Sequence, residues 1–238
     1  MKRIIHRANT GKYPENTLEA LEDALQTDAD AIEIDVRLSS DGVPIVIHDS
    51  RLHKLTDLWD RVENRTAAEL KALKVVSENG ESEGTIPTLV EAVELVSDKK
   101  ELIIDLKPGD TQKIVDNVIK NLHECTPHES TILSSFDAEI LGGINMGSHG
   151  FHTAYIFKSI FRWLTMAKAE ANNGGFQQWH PNFSRLNSKL MTVAKDEKKK
   201  VITWDVNTRS EMEKCIELGV DGIITDEINL LNSVLWDN

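Results

Sequence analysis

The sequence predicts a closed (β/α)8 barrel, and three observations carry that prediction. Short apolar runs alternate with amphipathic helical stretches along nearly the whole chain, the mark of βαβ units and a parallel sheet. Eight such units fit in 238 residues, close to the usual length of one barrel. No GxGxxG turn follows the first apolar run, as an open dinucleotide-binding sheet would require.

Arg3-Ile4-Ile5-His6 is the first strand and ends in His6-Arg7. Pro14-Glu15-Asn16-Thr17 then opens a helix with Asn16 as N-cap, Glu19 three residues on, and Leu18, Leu21, Ala24 and Leu25 as its apolar stripe. Ala31–Val36 is the second strand. Asp41-Gly42 after it is a tight-turn pair, so the run near residue 46 returns antiparallel and stands outside an all-parallel ring. The excursion from about 38 to 86 is therefore an insertion within one unit spanning 1–238. It takes in Leu52–Asp60, a short helix near Ala67–Leu73, and a polar loop over Ser77–Thr85.

Pro87-Thr88 starts a helix with Leu89, Ala92, Val93 and Val96 on one side. The strand Ile103–Lys107 follows, stopped by Pro108-Gly109. Further strands are expected at Ile132–Ser135, Thr153–Phe157, Gly175–Trp179, Val201–Val206 and Asp221–Thr225. The helices between and after them cover about 111–123, from Asp137, about 160–171, 188–196, 209–218 and the C-terminal stretch. That makes nine strands, eight of them in the ring.

Composition excludes several classes. A net charge of −12 is the wrong sign for a nucleic-acid binder. Cys125 and Cys215 lie far apart and outside any CxxC pattern, which predicts reduced thiols and a cytoplasmic setting. The N-terminus carries no apolar signal-peptide core, and there is no 18-residue apolar run. The aromatic, basic stretch Tyr155–Lys168 has two readings: a helix lying on a membrane and admitting lysolipids, or, preferred, the core-facing side of a barrel helix.

Active sites of such barrels sit at the C-terminal ends of the strands, so the polar residues there form a test of their own. The first strand delivers His6 and Arg7, and the second Glu33 and Asp35, two apart and so on one face. The hairpin returns His48, the third barrel strand gives Asp105 and Lys107, and the fourth gives Ser134 or Ser135. Burying so many charges without partners costs several kcal/mol each, so a core would not select them. Glu33, Asp35 and Asp105, with no cysteine, form a hard oxygen site suited to one Mg2+ or Ca2+. Arg7 and Lys107 can hold an anion, and His6 and His48 can pass a proton in each direction. Together these spell phosphoryl or phosphodiester chemistry.

Glu15 is a candidate support for Arg7, or only complements its helix N-terminus. Trp204 is either core or a platform for substrate carbons. Asn207 and Asp226 read equally as helix-start residues or as parts of the site, and His180 follows the sixth barrel strand closely enough to approach the pocket. A plain Asp105–Lys107 salt bridge is the bland reading of that pair.

These motifs resemble one family. His6-Arg7, Pro14-Glu15-Asn16-Thr17, Glu33-x-Asp35, Asp41-Gly42-x-Pro44 and His48-Asp49 match the glycerophosphodiester phosphodiesterases in order. So do Ile86–Leu89, Ser135–Asp137, Thr203-Trp204-x-Val206-Asn207 and Gly219–Asp226. The resemblance implies a metal-dependent barrel that hydrolyses glycerophosphodiesters to glycerol phosphate and an alcohol. It implies Glu33, Asp35 and Asp105 on the metal, His6 and His48 as the acid–base pair, and Arg7 and Lys107 on phosphate. Two positions depart from the family pattern: Asp105 stands where glutamate is usual, and Ala8 where glycine is usual. The alternatives are phospholipase D-like hydrolysis of lysophospholipids, and a barrel that binds phosphodiesters without cleaving them. The sequence is silent on oligomeric state.

Overall fold

A computed structural model describes residues 1–77, 80–147, 149–158 and 175–237. Its strands, in chain order, are β1 (Lys2–Ile5), β2 (Ala31–Leu38), β3 (Pro44–Val46), β4 (Lys74–Val76), β5 (Glu83–Thr85), β6 (Glu101–Leu106), β7 (Ile132–Ser135), β8 (His152–Phe157), β9 (Gln178–Pro181), β10 (Lys200–Thr203) and β11 (Gly222–Thr225). Eight of them pair in parallel in the order β1, β2, β6, β7, β8, β9, β10, β11, and β11 returns to β1 to close the barrel. β3 lies outside the ring, antiparallel to β2.

Each barrel strand sends alternate side chains to opposite sides, and the two apolar clusters show which side is which. Ile4, Ala31, Ile103, Ile132, Ala154, Ile202 and Ile224 pack together inside the barrel. Ile5, Ile32, Leu102, Leu133, Tyr155, Val201 and Ile223, each one residue off those positions, belong to the larger cluster beneath the helices. Counting by twos from the inner residues therefore predicts what stands above them. Ala31 leads to Glu33 and Asp35, Ile103 to Asp105 and Lys107, Ile132 to Ser134, and Ile202 to Trp204. The barrel is apolar below and polar above.

The helices begin where side chains satisfy the first free backbone N–H groups. Thr66, Thr88 and Thr208 cap reciprocally with Glu69, Glu91 and Glu211, while Asp110, Asp137 and Asn187 cap singly.

Four expectations are corrected. Thr17, not Asn16, caps the helix Leu18–Ala24, its hydroxyl accepting from Ala20 N. Glu19 accepts instead from Thr85 N and Oγ1 at 2.7 and 3.0 Å. The stretch Ser77–Thr85 is not all loop, since Glu83–Thr85 pairs antiparallel with β4. The strand expected at Gly175–Trp179 starts at Gln178, because Gly175 sits at φ +76°, a left-handed geometry no strand accommodates. The helix expected at about 160–171 lies outside the described residues. So does most of the membrane reading of 155–168, of which Tyr155–Phe157 belong to β8. The excursion between β2 and the helix Leu89–Val96 packs a core of its own around Ile47, Leu52, Val62, Leu70 and Ile86.

Candidate active site

The polar tops of the barrel staves open on one cavity of about 280 Å³. His6, Arg7, Glu33, Asp35, His48, Asp105, Lys107 and Trp204 all line it, with Ser134, Phe136, Lys158 and His180. Glu33, Asp35 and Asp105 are 5%, 1% and 4% exposed, and each offers an oxygen within 4.8 Å of the others. Asp35 and Asp105 face each other directly in the β2–β6 register, which is why the two columns converge.

Buried carboxylates this close need compensation. Lys107 Nζ bridges Asp35 Oδ1 and Asp105 Oδ2, 2.5 Å from each. It donates a hydrogen bond to Asp105 Oδ2 and pairs with Asp35 by charge, which leaves donor capacity for an anion. Asp35 also accepts from Asn16 Nδ2 at 2.8 Å, and its backbone N–H donates to Asn16 Oδ1 at 3.1 Å. Burial raises the pKa of Asp35, but Lys107 and Arg7 outweigh it and hold the carboxyl at about 2. Glu33 has less help: burial and the Asp35 charge push it up to about 8. Asp105 is raised chiefly by burial, and its Oδ1 is buried without a hydrogen-bond partner. An orphaned oxygen inside a hard, all-oxygen cluster is what a divalent ion would satisfy, so the residues fit one.

Arg7 follows β1 in a 3-10 turn over His6–Ala8 and takes φ +51°. Its backbone N–H donates to Glu33 Oε2 at 2.9 Å, and its Nη1 donates to both Glu15 oxygens at 3.0 and 3.2 Å. Arg7 Nε lies 3.2 Å from Asp35 Oδ2 without hydrogen-bond alignment and has no other partner. Glu15 therefore holds Arg7 from behind, outside the cavity.

The two histidines are held differently. Burial would lower His6, but the hydrogen bond to Asp226 and the charge of Glu33 win and raise its pKa above the ordinary value. Asp226 is itself fixed by Asn207 Nδ2 at 3.0 Å and by Asn9 Nδ2 at 3.4 Å. His48 follows the end of β3, where Ile47 N–H donates to Asp35 O at 2.9 Å and so continues the β2–β3 ladder. That ladder bond and the Arg37 Nε–H donated to His48 O at 2.7 Å set the height of His48 on the rim. Its Nδ1 is 3.4 Å from Asp49 Oδ1 without bonding geometry, and burial draws its pKa down to about 4.

Trp204 Nε1 donates to His180 O at 2.9 Å, and its ring meets Phe136 edge-on at 5.6 Å between centroids. Its indole is thus anchored with one side on the cavity rather than enclosed in the core. His180 is 1% exposed, with its Nε2 3.3 Å from Gln178 Oε1, and burial lowers its pKa to about 3.

A family model for the glycerophosphoryl diester phosphodiesterase family matches residues 6–230. The chain belongs to that family. It is 32% identical over 231 residues to a glycerophosphodiester phosphodiesterase of Caldanaerobacter subterraneus, covering 94% of this chain and 93% of the relative. A second relative with that name, from Bacillus altitudinis, is 28% identical and is covered to 94%, as is this chain. Among solved structures, an Oleispira antarctica phosphodiesterase in complex with the product sn-glycerol-3-phosphate superposes with a TM-score of 0.88 at 27% identity. That match covers 100% of this chain and 97% of the other. The glycerophosphoryl diester phosphodiesterase fold is the barrel of eight parallel strands on which this site stands.

Of the ten residues singled out from the sequence, eight line the cavity, and Glu15 and Asn207 stand behind it on Arg7 and Asp226. Sequence reasoning missed Asn16, whose motif was seen but which was assigned to a helix cap. It left Asp226 undecided, although the residue contacts His6. Phe136 and Lys158 also line the cavity. The period-two count upward from Ile132 and Ala154 would have found both.

Proposed function

We propose that the chain hydrolyses glycerophosphodiesters to glycerol phosphate and an alcohol with the help of one divalent ion, Mg2+ or Ca2+. The reading treats 1–238 as one catalytic unit with an insertion at about 38–86. The observation that carries it is a cavity whose lining includes His6 and His48, the clustered carboxylates of Glu33, Asp35 and Asp105, and the cations Arg7 and Lys107. The glycerol phosphate held by the Oleispira relative supports the same product class here. Glu33, Asp35 and Asp105 would hold the ion, which supplies a positive centre for the phosphodiester's oxygens.

The chain's own residues do the rest. Arg7, braced by Glu15, and Lys107 bind the phosphate oxygens. Trp204 lies against the glycerol carbons. Asp226 accepts the Nδ1 proton of His6, which turns His6 Nε2 toward the substrate as the acid. His48, neutral and without a partner on Nδ1, takes the proton of the attacking hydroxyl, from water or from the substrate's glycerol. A new P–O bond forms, the bond to the alcohol breaks, and the His6 proton goes to the departing alkoxide. Where the glycerol hydroxyl attacks, water then opens the cyclic phosphate, its proton going to His6 while His48 returns its own to the glycerol oxygen released. Two free thiols, Cys125 and Cys215, suit a reducing, cytoplasmic setting. Among the described residues no helix is long and apolar enough to cross a membrane.

The test strips the protein with chelator and assays a phosphodiester panel with Mg2+ or Ca2+ restored, reading glycerol phosphate against free alcohol. Ion-dependent release of glycerol phosphate is expected. No turnover with any ion would leave a binding barrel, and turnover confined to acylated diesters would favour the lysophospholipid reading.

A further inference from the structure

The lining of the catalytic cavity divides by charge. One half comes from β1, β2, the hairpin and β6, and both of its cations are paired: Arg7 with Glu15 at 3.0 Å, and Lys107 with Asp35 and Asp105. The other half runs from Ser134 on β7 to Ile224 on β11. Burial keeps His180 neutral there, so among the described residues Lys158 is the one charged group of that half. Lys158 follows β8, is exposed, and holds its Nζ 5.7 Å from the centroid of the Trp204 ring.

Arg185 stands beside it. Its Nε donates to Lys158 O at 2.9 Å, and it too is exposed. Among the described residues neither cation pairs with a carboxylate, and the two Nη groups of Arg185 have no hydrogen bond. Two carboxylates flank this part of the rim in the chain, and both are engaged elsewhere. Asp137, next to Phe136, accepts from Glu139 N at 2.9 Å, and Asp205, next to Trp204, accepts from Asn182 Nδ2 at 3.1 Å. Like charges side by side repel, and one anion relieves both. In a chain of net charge −12 this corner of the rim is a local reversal of sign.

The reacting phosphate belongs at Arg7 and Lys107, on the other half, so an anion at Lys158 and Arg185 is a second one. An arm lying along the Trp204 ring ends against the Lys158 ammonium. A phosphate there has oxygens enough to accept from that ammonium and from the Arg185 fork together. We propose that Lys158 and Arg185 form a second anion site, which takes a phosphate carried at the far end of the glycerol arm and so favours glycerol phosphorylated at both ends. The proposal rests on the hydrolase reading above, which lays the glycerol arm on Trp204, and deepens it.

The experiment is calorimetric binding, with Mg2+ present, of glycerol phosphate and of glycerol phosphorylated at both ends. The proteins are the unaltered chain, Lys158→Met, Lys158→Arg and Arg185→Met. The doubly phosphorylated ligand is expected to bind about tenfold tighter, the product of two exposed charge pairs worth a few-fold each. Lys158→Met and Arg185→Met should each weaken it about threefold more than they weaken glycerol phosphate, and Lys158→Arg should preserve the difference. The preference should shrink as salt is raised. Equal affinities in the unaltered protein, or a ratio unmoved in both methionine variants, would overturn the proposal. Neither ligand is a diester, so binding is read apart from turnover. The expected ratios in a protein that cleaves no diester would sink hydrolysis and keep the anion site. Cleavage of diesters with the ratio unmoved would do the reverse.

Discussion

His6 Nδ1 lies 2.9 Å from Asp226 Oδ1, across the seam where β1 and β11 close the barrel. The carboxylate fixes which ring nitrogen faces the cavity and stabilises the protonated ring. Asp226→Asn keeps the shape and removes the charge. It should lower kcat on the order of 10²-fold, the scale of acid–base catalysis, as should His6→Ala and His48→Ala. Steady-state rates near unaltered values would reject these roles.

The pH dependence follows from the opposite shifts of the two histidines. His48 must be neutral to accept a proton, so kcat/KM should rise through about pH 4. His6 must be protonated, and its pKa is raised, so the fall on the alkaline side should lie above the ordinary histidine value. Asp226→Asn should move that alkaline limb down and leave the acid limb in place. An acid limb near 6.5, the ordinary histidine value, would remove His48 as the base.

Asn16 is buried at φ +59° and gives Asp35 both a donor and an acceptor. Asn16→Ala should weaken metal binding by roughly 10–100-fold, as loss of a residue orienting a ligand does. It should also destabilise the protein by about 2 kcal/mol, because a bond to a buried carboxylate is lost. Asn16→Gly accepts the backbone angle and should fold better while losing the same affinity. Calorimetric metal titration that gave an unaltered Kd for both would disprove the role.

Ala8, where the family pattern has glycine, takes φ +56° and is fully buried. The left-handed angle costs about 1–2 kcal/mol, which glycine would relieve. Against that stand about 0.8 kcal/mol for the lost methyl burial and about 0.5–1 kcal/mol of backbone entropy. Ala8→Gly should therefore leave the stability within about 1 kcal/mol of its original value. Ala8→Val, β-branched in the same conformation, should cost more than about 2 kcal/mol by denaturant unfolding.

His180 is buried neutral, with burial holding its pKa at about 3. The unfolded chain binds this proton from the ordinary value of about 6.5 downward, while the native state does not. Stability should therefore fall as pH drops from about 6.5 toward 3. Urea unfolding at several acid pH values should show a shallower fall for His180→Asn. An identical slope would mean that the ring is not buried neutral.

Residue order determined much of this protein on its own. Strand side chains alternate with period two, so Glu33 with Asp35 and Asp105 with Lys107 had to share faces, and strand ends are where such barrels work. The Asp41-Gly42 turn likewise set β3 antiparallel and outside the ring. Local patterns cannot say which distant side chains meet. Asn16 looked like a helix cap because its neighbours are those of a helix start, but its left-handed backbone turns it onto Asp35. Asp226 read equally as a helix start or as part of the site, and it reaches His6, 220 residues away, only because the ring closes β11 against β1. Which buried charges are compensated, and therefore which histidine is raised and which is lowered, depends on distances in space. Those distances exist only once the barrel has closed.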